Sequence, residues 1–223
     1  MNTEVQARSS STMSAYRITQ VASDADLFTW RLLRQRVYLE EGLLTPDDVG
    51  STMYIDTYDA YSEHFLVWDS LGAPVGTGRL IFGAHVAGQR LQIEDTFDVD
   101  ILPDSAEVSG FAILREHRVG LAQVGLLRAM IERLRERGVS NAYAEVEPWF
   151  FRGLNRFGYP CARISESKFV FNAENFVIHM PLDDFWEGVE HDISRARRTL
   201  RGTYYSHPWD GTIGDQHLVF RDA

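Results

Sequence analysis

Apolar residues Leu27, Trp30, Leu33 and Val37 recur three to four positions apart and predict an amphipathic helix. Ser23, with Asp26 three residues on, resembles a capping box at its start, and Gly42 marks its stop. An acidic loop, "LLTPDDVGSTMYIDTYDAYSE", follows. Beyond it the period shortens to two: "HFLVWD" and "PVGTGRLIF", joined by "SLGA", read as a hairpin. "RLQIED" reads as a further strand or edge segment, and residues 106 to 114 as a long strand. Helical spacing returns in "LAQVGLLRAMIERLRERG", with Leu121, Val124, Leu127, Ile131 and Leu134 as the expected core stripe and Gly138 as the stop. "SNAYAEV" predicts a strand, and "PWFFRGLNRFG" a short helix with Pro148 in its first turn. "ARISESKFVF" and "NFVIHM" close a second hairpin.

The order is helix, three strands, long strand, helix, strand, helix, two strands. Consecutive strands outnumber crossover helices, so the fold class is a mixed α/β (α+β) sheet and not a doubly wound βαβ repeat. The strand–helix–strand unit in the middle is expected to be a right-handed parallel crossover. At 223 residues and 44% hydrophobic, the chain suits one compact domain, placed at residues 16–182. Residues 1–15, rich in Ser and Thr, are expected to be disordered, and residues 183–223 to form a charged helix and an irregular tail.

A net charge of −10 argues against a general nucleic-acid binder. Its distribution says more. Residues 37 to 78 hold eight Asp or Glu and no Lys or Arg, whereas residues 115 to 163 hold nine Arg against five acids. Two solvated faces would suffice to explain this, but so would an acidic pocket beside a basic platform. The single cysteine, Cys161, precludes an intramolecular disulfide and reads as structural. The N-terminal stretch lacks an apolar core of signal-peptide length, and no run of about 18 apolar residues could span a bilayer. A cytoplasmic location is expected. "GTGRLI" lies within a strand and fails as a dinucleotide fingerprint. The seven histidines are scattered, and no metal site is expected.

The chemistry concentrates in "EVSGFAILREHRVGLAQVGLL". Alternation places Glu107, Ser109, Phe111 and Ile113 on one face of the strand. A carboxylate in so apolar a setting has a raised pKa, which suits a base for an amine. A bulge there would rotate the pattern and free a backbone N–H for an oxyanion. Glu145 on the next strand is a rival base, and either could be an exposed strand-end charge. Through Arg115, Arg118 and Gly120 the strand feeds a helix whose first turn suits a pyrophosphate or phosphopantetheine phosphate.

These pieces together resemble the GNAT acyltransferase superfamily, and within it the acyl-homoserine-lactone synthases and N-acyl amino acid synthases, over about residues 30 to 181. "LRQRVYLEEG" is similar to their Arg-x-x-x-aromatic motif, at Arg34 and Tyr38. "YIDTYDAYSEHFLVW" is similar to their Asp-x-x-Asp loop, at Asp56 and Asp59, and "VGTGRLI" to the strand with a family arginine, Arg79. "EVSGFAI" resembles the strand of the catalytic glutamate, Glu107, with Ser109 at a Ser/Thr position. The chain departs at Gly110, where the synthases usually carry arginine, and at Leu44, where they usually carry tryptophan.

The resemblance implies a mostly antiparallel sheet with a central parallel pair split by a V-shaped opening. It implies an acyl-phosphopantetheine thioester as co-substrate, on acyl-carrier protein or coenzyme A, lying in that opening against Phe111, Ala112, Ile113, Arg118 and Gly120. Glu107, with Ser109, would deprotonate an amino-acid-like amine. Asp56 and Asp59 would hold a cationic acceptor, Arg34 and Arg79 would brace them or bind a carboxylate, and Tyr38 and Phe111 would line the substrate site. An acidic acyl-carrier protein would dock on the Arg-rich stretch 115–163. A small-acyl acetyltransferase and a non-catalytic thioester-binding protein are the alternative readings.

Overall fold

A computed structural model describes residues 16–49, 54–83, 89–118, 121–157, 159–184 and 217–219. The N-terminal fifteen residues and most of the expected tail lie outside the described residues.

The chain builds one sheet with helices on both faces. Its strands are β1 (Arg17–Gln20), β2 (Ser62–Trp68), β3 (Pro74–Ile81), β4 (Ser105–Ile113), β5 (Asn141–Val146), β6 (Ala162–Arg163), β7 (Lys168–Val170), β8 (Ala173–Pro181) and β9 (His217–Val219). They lie in the order β6-β8-β5-β4-β3-β2-β1-β9, with β7 hairpinned onto β8. Every pairing is antiparallel except β4 with β5, as the crossover predicts. The helices are α1 (Asp24–Glu40), α2 (Pro46–Val49), α3 (Gln92–Thr96), α4 (Leu121–Glu136) and α5 (Pro148–Phe157).

Helix α1 starts as expected, with Ser23 Oγ accepting the Asp26 N–H at 3.1 Å, and ends at Gly42, whose φ of 71° glycine alone adopts without strain. It packs on one face of β3 and β4. Helix α4 packs on the other face, and its stripe is rotated from the one expected. Ile131 and Leu134 are buried, but their companions are Ala122, Leu126, Ala129 and Met130, while Val124 and Leu127 are only partly buried. The cause lies in β3. A Cβ on Gly78 would come within 2.6 Å of Met130 Sδ and 3.1 Å of Leu126 Cδ1, so the glycines of "VGTG" let α4 sit close to the sheet. Periodicity alone could not select among adjacent apolar faces of one helix.

Three more expectations change. "RLQIED" is not a strand but holds α3, whose first turn is closed by Glu94 accepting the Leu91 N–H at 2.6 Å, with Leu91 and Ile93 buried. Strand β1, four residues long, gave too short a pattern to register, and β9 brings part of the expected tail onto the sheet beside β1. The third concerns β4. Ser109 faces Arg79 and Ala112 faces Thr77, so Gly110 and Phe111 together oppose Gly78. This is a β-bulge with Gly110 at φ 58°. Glu107 and Ser109 therefore face α1, whereas Phe111 and Ile113 turn to the α4 side, where Phe111 meets Phe150 of α5 at 6.4 Å. The four residues do not share one face.

Candidate active site

The parallel ladder of β4 and β5 ends at the Glu107–Tyr143 pair. Beyond it the bulge bends β4 away, and the two strands splay around a cavity of about 560 Å³. Its lining passes from one sheet face to the other. Arg34, Tyr38, Asp56, Glu107, Ser109 and Glu145 lie toward α1, and Leu127, Val146, Leu154 and Ile178 toward α4 and α5.

Asp56 is held by four contacts, one of them the Tyr58 N–H donating to Oδ1 at 3.1 Å. Arg79 Nη1 donates to both its carboxylate oxygens, at 2.6 and 2.7 Å, and Arg34 Nη1 reaches Oδ2 at 3.4 Å. The same Arg79 nitrogen donates to Asp59 Oδ1 at 2.8 Å, and Arg79 Nη2 donates to Gln92 at 2.6 Å and Ser109 Oγ at 3.0 Å. Arg34 stacks between Trp30, at 4.3 Å, and Tyr54, at 4.9 Å. Arg31 and His64 complete the shell of Asp59, at 3.3 and 3.4 Å. Burial pushes the Asp59 carboxyl up, but the His64 hydrogen bond and the two guanidiniums outweigh it and hold Asp59 well below the usual range. Arg34 and Arg79 thus brace the two carboxylates. Asp56 faces the cavity, while Asp59 lies behind it and does not line the wall.

Glu107 is 1% exposed. Its Oε2 accepts the Ile93 N–H at 3.1 Å, an unpaired donor in the first turn of α3. Burial pushes its carboxyl up to about 8, against the pull of that N–H and of Arg79. Glu145, two residues past the last β4–β5 pair, is pushed up to about 7 by burial. Ser109 faces Arg79 and the cavity. Tyr38 projects from α1 into the same space, tilted against Phe171 at 6.1 Å.

Ala112, Ile113 and Arg118 line the cavity toward the C-terminal end of β4. Arg118 donates from Nε to the Ile113 carbonyl at 2.8 Å and pairs with Glu41 at 3.0 Å. Gly120 lies outside the described residues. Of the Arg-rich stretch, Arg133 and Arg137 both bind Glu63 on β2, at 2.6 and 3.3 Å, and Arg128 pairs with Glu132 at 2.8 Å. Arg115 and Arg152 stay exposed. Gln92 and the Ile93 N–H are not visible in the sequence, because the apolar spacing of their segment reads as a strand or edge segment.

A family model described as an acetyltransferase (GNAT) domain matches residues 33–141. Over that span, just under half of its length, the chain is similar to a GNAT acetyltransferase domain. The match runs from within α1 to the first residue of β5, so it contains Arg34, Asp56, Arg79 and Glu107. No curated protein matches the chain in sequence. Among solved structures the chain is similar to BjaI, a CoA-dependent acyl-homoserine lactone synthase, with TM-score 0.63 and 18% identity over 80% of this chain and 90% of that one. It is similar to the AHL synthase LasI, with TM-score 0.65 and 17% identity over 80% and 95%. FeeM, an N-acyl amino acid synthase from uncultured soil microbes, aligns with TM-score 0.61 and 13% identity over 78% and 94%. At these identities the likeness is one of fold. Among the described residues, no helix is long and apolar enough to cross a membrane, and no group of His, Cys, Asp and Glu could hold a metal ion.

Proposed function

We propose that this GNAT-like protein is an N-acyltransferase that moves a fatty acyl group from a phosphopantetheine thioester, on acyl-carrier protein or coenzyme A, to the amine of an amino-acid-like acceptor. The observation that carries this reading is the opening between β4 and β5, with a buried carboxyl at its polar end and an apolar wall at the other. At about 560 Å³ it falls within the range of small-molecule sites.

The thioester lies along β4 with its carbonyl at the bulge, where one extra residue interrupts the ladder and leaves backbone N–H free for the oxyanion. The acyl chain runs past Leu127 toward Leu154 and Ile178. The pantetheine arm leaves past Ile113 and Arg118 toward the start of α4, whose first-turn N–H groups favour phosphate. Glu107 takes a proton from the acceptor amine as its nitrogen bonds to the thioester carbon. The C–S bond then breaks, and the thiolate leaves as thiol with a second proton of the amine. Ser109 and Arg79 fix the polar wall. The charge asymmetry supports an acidic carrier protein as donor, approaching the exposed Arg115 and Arg152. A cytoplasmic location, where such donors are made, fits this reading.

The test is thiol release from acetyl, octanoyl and longer thioesters with a panel of amines, with the product read by mass spectrometry. A fatty N-acyl amine is expected. Preference for acetyl donors would place the chain among small-acyl enzymes, and binding without thiol release would make it a sensor; either outcome overturns the proposal.

A further inference from the structure

The acids lining the cavity divide by what already answers their charge. Glu41 meets Arg118 at 3.0 Å and Arg115 at 3.5 Å. Asp56 is held by Arg79 and Arg34, and Asp59 behind it by Arg31, Arg34 and Arg79. Three guanidiniums against two carboxylates leave that end of the site cationic. It repels an incoming ammonium, and this shifts the expectation that Asp56 and Asp59 receive a cationic acceptor. Glu107 is spoken for by the Ile93 N–H. Glu147 sits just before α5, where the helix dipole favours a negative charge.

Glu145 is different. It lies one residue before the end of β5, and among the described residues no cation or donor meets its carboxyl. Burial alone accounts for its raised pKa. Its orientation follows from register. Glu107 and Tyr143 are partners and point to the same face, and Glu145, two residues beyond Tyr143, points there too. By then the strands have parted, so Glu145 looks across the opening toward Glu107 and Ser109. The two carboxyls feel each other, because the charge of Glu145 adds to the rise at Glu107 and at Tyr38. A half-buried carboxyl without a partner costs stability, and a ligand cation removes that cost.

We propose that Glu145 is the subsite for the acceptor's ammonium, the carboxylate that draws the amine into the cleft and holds it against Glu107. This rests on the acyltransferase reading above. The amine enters as –NH3+ and must shed two protons, and Glu145 keeps it in place while Glu107 takes the first.

The test compares Glu145→Gln, Glu145→Asp and Glu107→Gln with wild type. L-amino acids and their methyl esters serve as acceptors and as calorimetric probes. Glu145→Gln should raise the acceptor KM about tenfold or more, the worth of one charge-assisted hydrogen bond. Its donor KM should hold, and its kcat at saturating acceptor should stay within about threefold. Glu145→Asp should recover part of the loss, whereas Glu107→Gln should lose kcat with little change in acceptor KM. The thermal midpoint of Glu145→Gln should not fall, since only a partnerless carboxyl is removed. An unchanged acceptor KM in Glu145→Gln, beside an active wild type, overturns the subsite. If wild type binds the amines but releases no thiol, the acyltransferase reading fails. Loss of amine binding in Glu145→Gln would then still support the subsite, and unchanged binding would overturn it. Wild type that binds none of the panel overturns both.

Discussion

Gly110 lies directly against the ring of Trp30: a Cβ added there would stand 3.1 Å from Trp30 Cζ2 and 3.2 Å from Arg79 Cβ. Trp30 in turn donates from Nε1 to the Gly78 carbonyl at 3.0 Å, on the strand opposite the bulge. The indole therefore clamps the bulge that opens the site, and the arginine usual in the synthases at this position has no room here. Gly110→Ala should lower stability by about 1–3 kcal/mol, from the positive φ and the close contact together. Urea unfolding measures this, and an unchanged midpoint would mean that the bulge relaxes freely.

Glu107→Gln should cut kcat by about a hundredfold or more while leaving donor binding intact. In wild type the rate should rise with pH through an apparent pKa near 8, as Glu107 loses its proton. Stability should move the other way. Folded Glu107 keeps its proton to about 8, whereas the unfolded chain releases it near 4.5, so the folded state binds more protons between those values. Stability therefore falls as pH rises through that window, and Glu107→Gln should flatten the slope. Chemical denaturation from pH 5 to 9 reads both curves.

Arg79 answers two carboxylates, one of them, Asp59, buried. Arg79→Met should cost about 3–5 kcal/mol, because Asp59 would be left charged with less compensation. Asp59 has the opposite linkage to Glu107. Its depressed pKa contributes stability above the unfolded value of 3.8 that is lost as pH falls below it. Asp59→Asn should therefore weaken the protein at pH 7 and blunt its acid unfolding, as followed by circular dichroism.

Leu127 marks where α4 meets the apolar end of the cavity. Leu127→Trp should lower kcat/KM for long-chain thioesters more than about tenfold and spare short ones. Equal loss across donor lengths would place the acyl chain elsewhere.

Charge reversal should separate carrier recognition from folding. Reversing Arg115 and Arg152 to Glu should reduce turnover of an acyl-carrier donor more than that of the same acyl-pantetheine, and added salt should mimic the effect. Reversing Arg133 and Arg137 should instead act on stability, since both hold Glu63.

Much of this site is legible in the sequence. Ser23 and Gly42 bounded α1, Pro148 opened α5, and the Glu107 strand lay within a residue of its observed limits. Those signals are local: caps, turn glycines and apolar periods act within a few residues. Family likeness then grouped Arg34, Asp56, Arg79, Glu107 and Ser109, which the fold brings into contact with the cavity or with one another.

What the sequence determined by itself, then, was the order of the long elements, though not β1 or α3, together with the mixed sheet and the identity of the polar residues, because each follows from local spacing and residue chemistry. Tertiary structure alone decided their use. It set the rotated stripe of α4, through the glycines of β3, and the turn of Phe111 away from Glu107, through a bulge that alternation cannot foresee. It placed the α3 turn under Glu107, and it divided the acids into those answered by arginine and Glu145, which is not. Burial and partnership depend on contacts between residues far apart in the chain, and only the folded sheet brings them together.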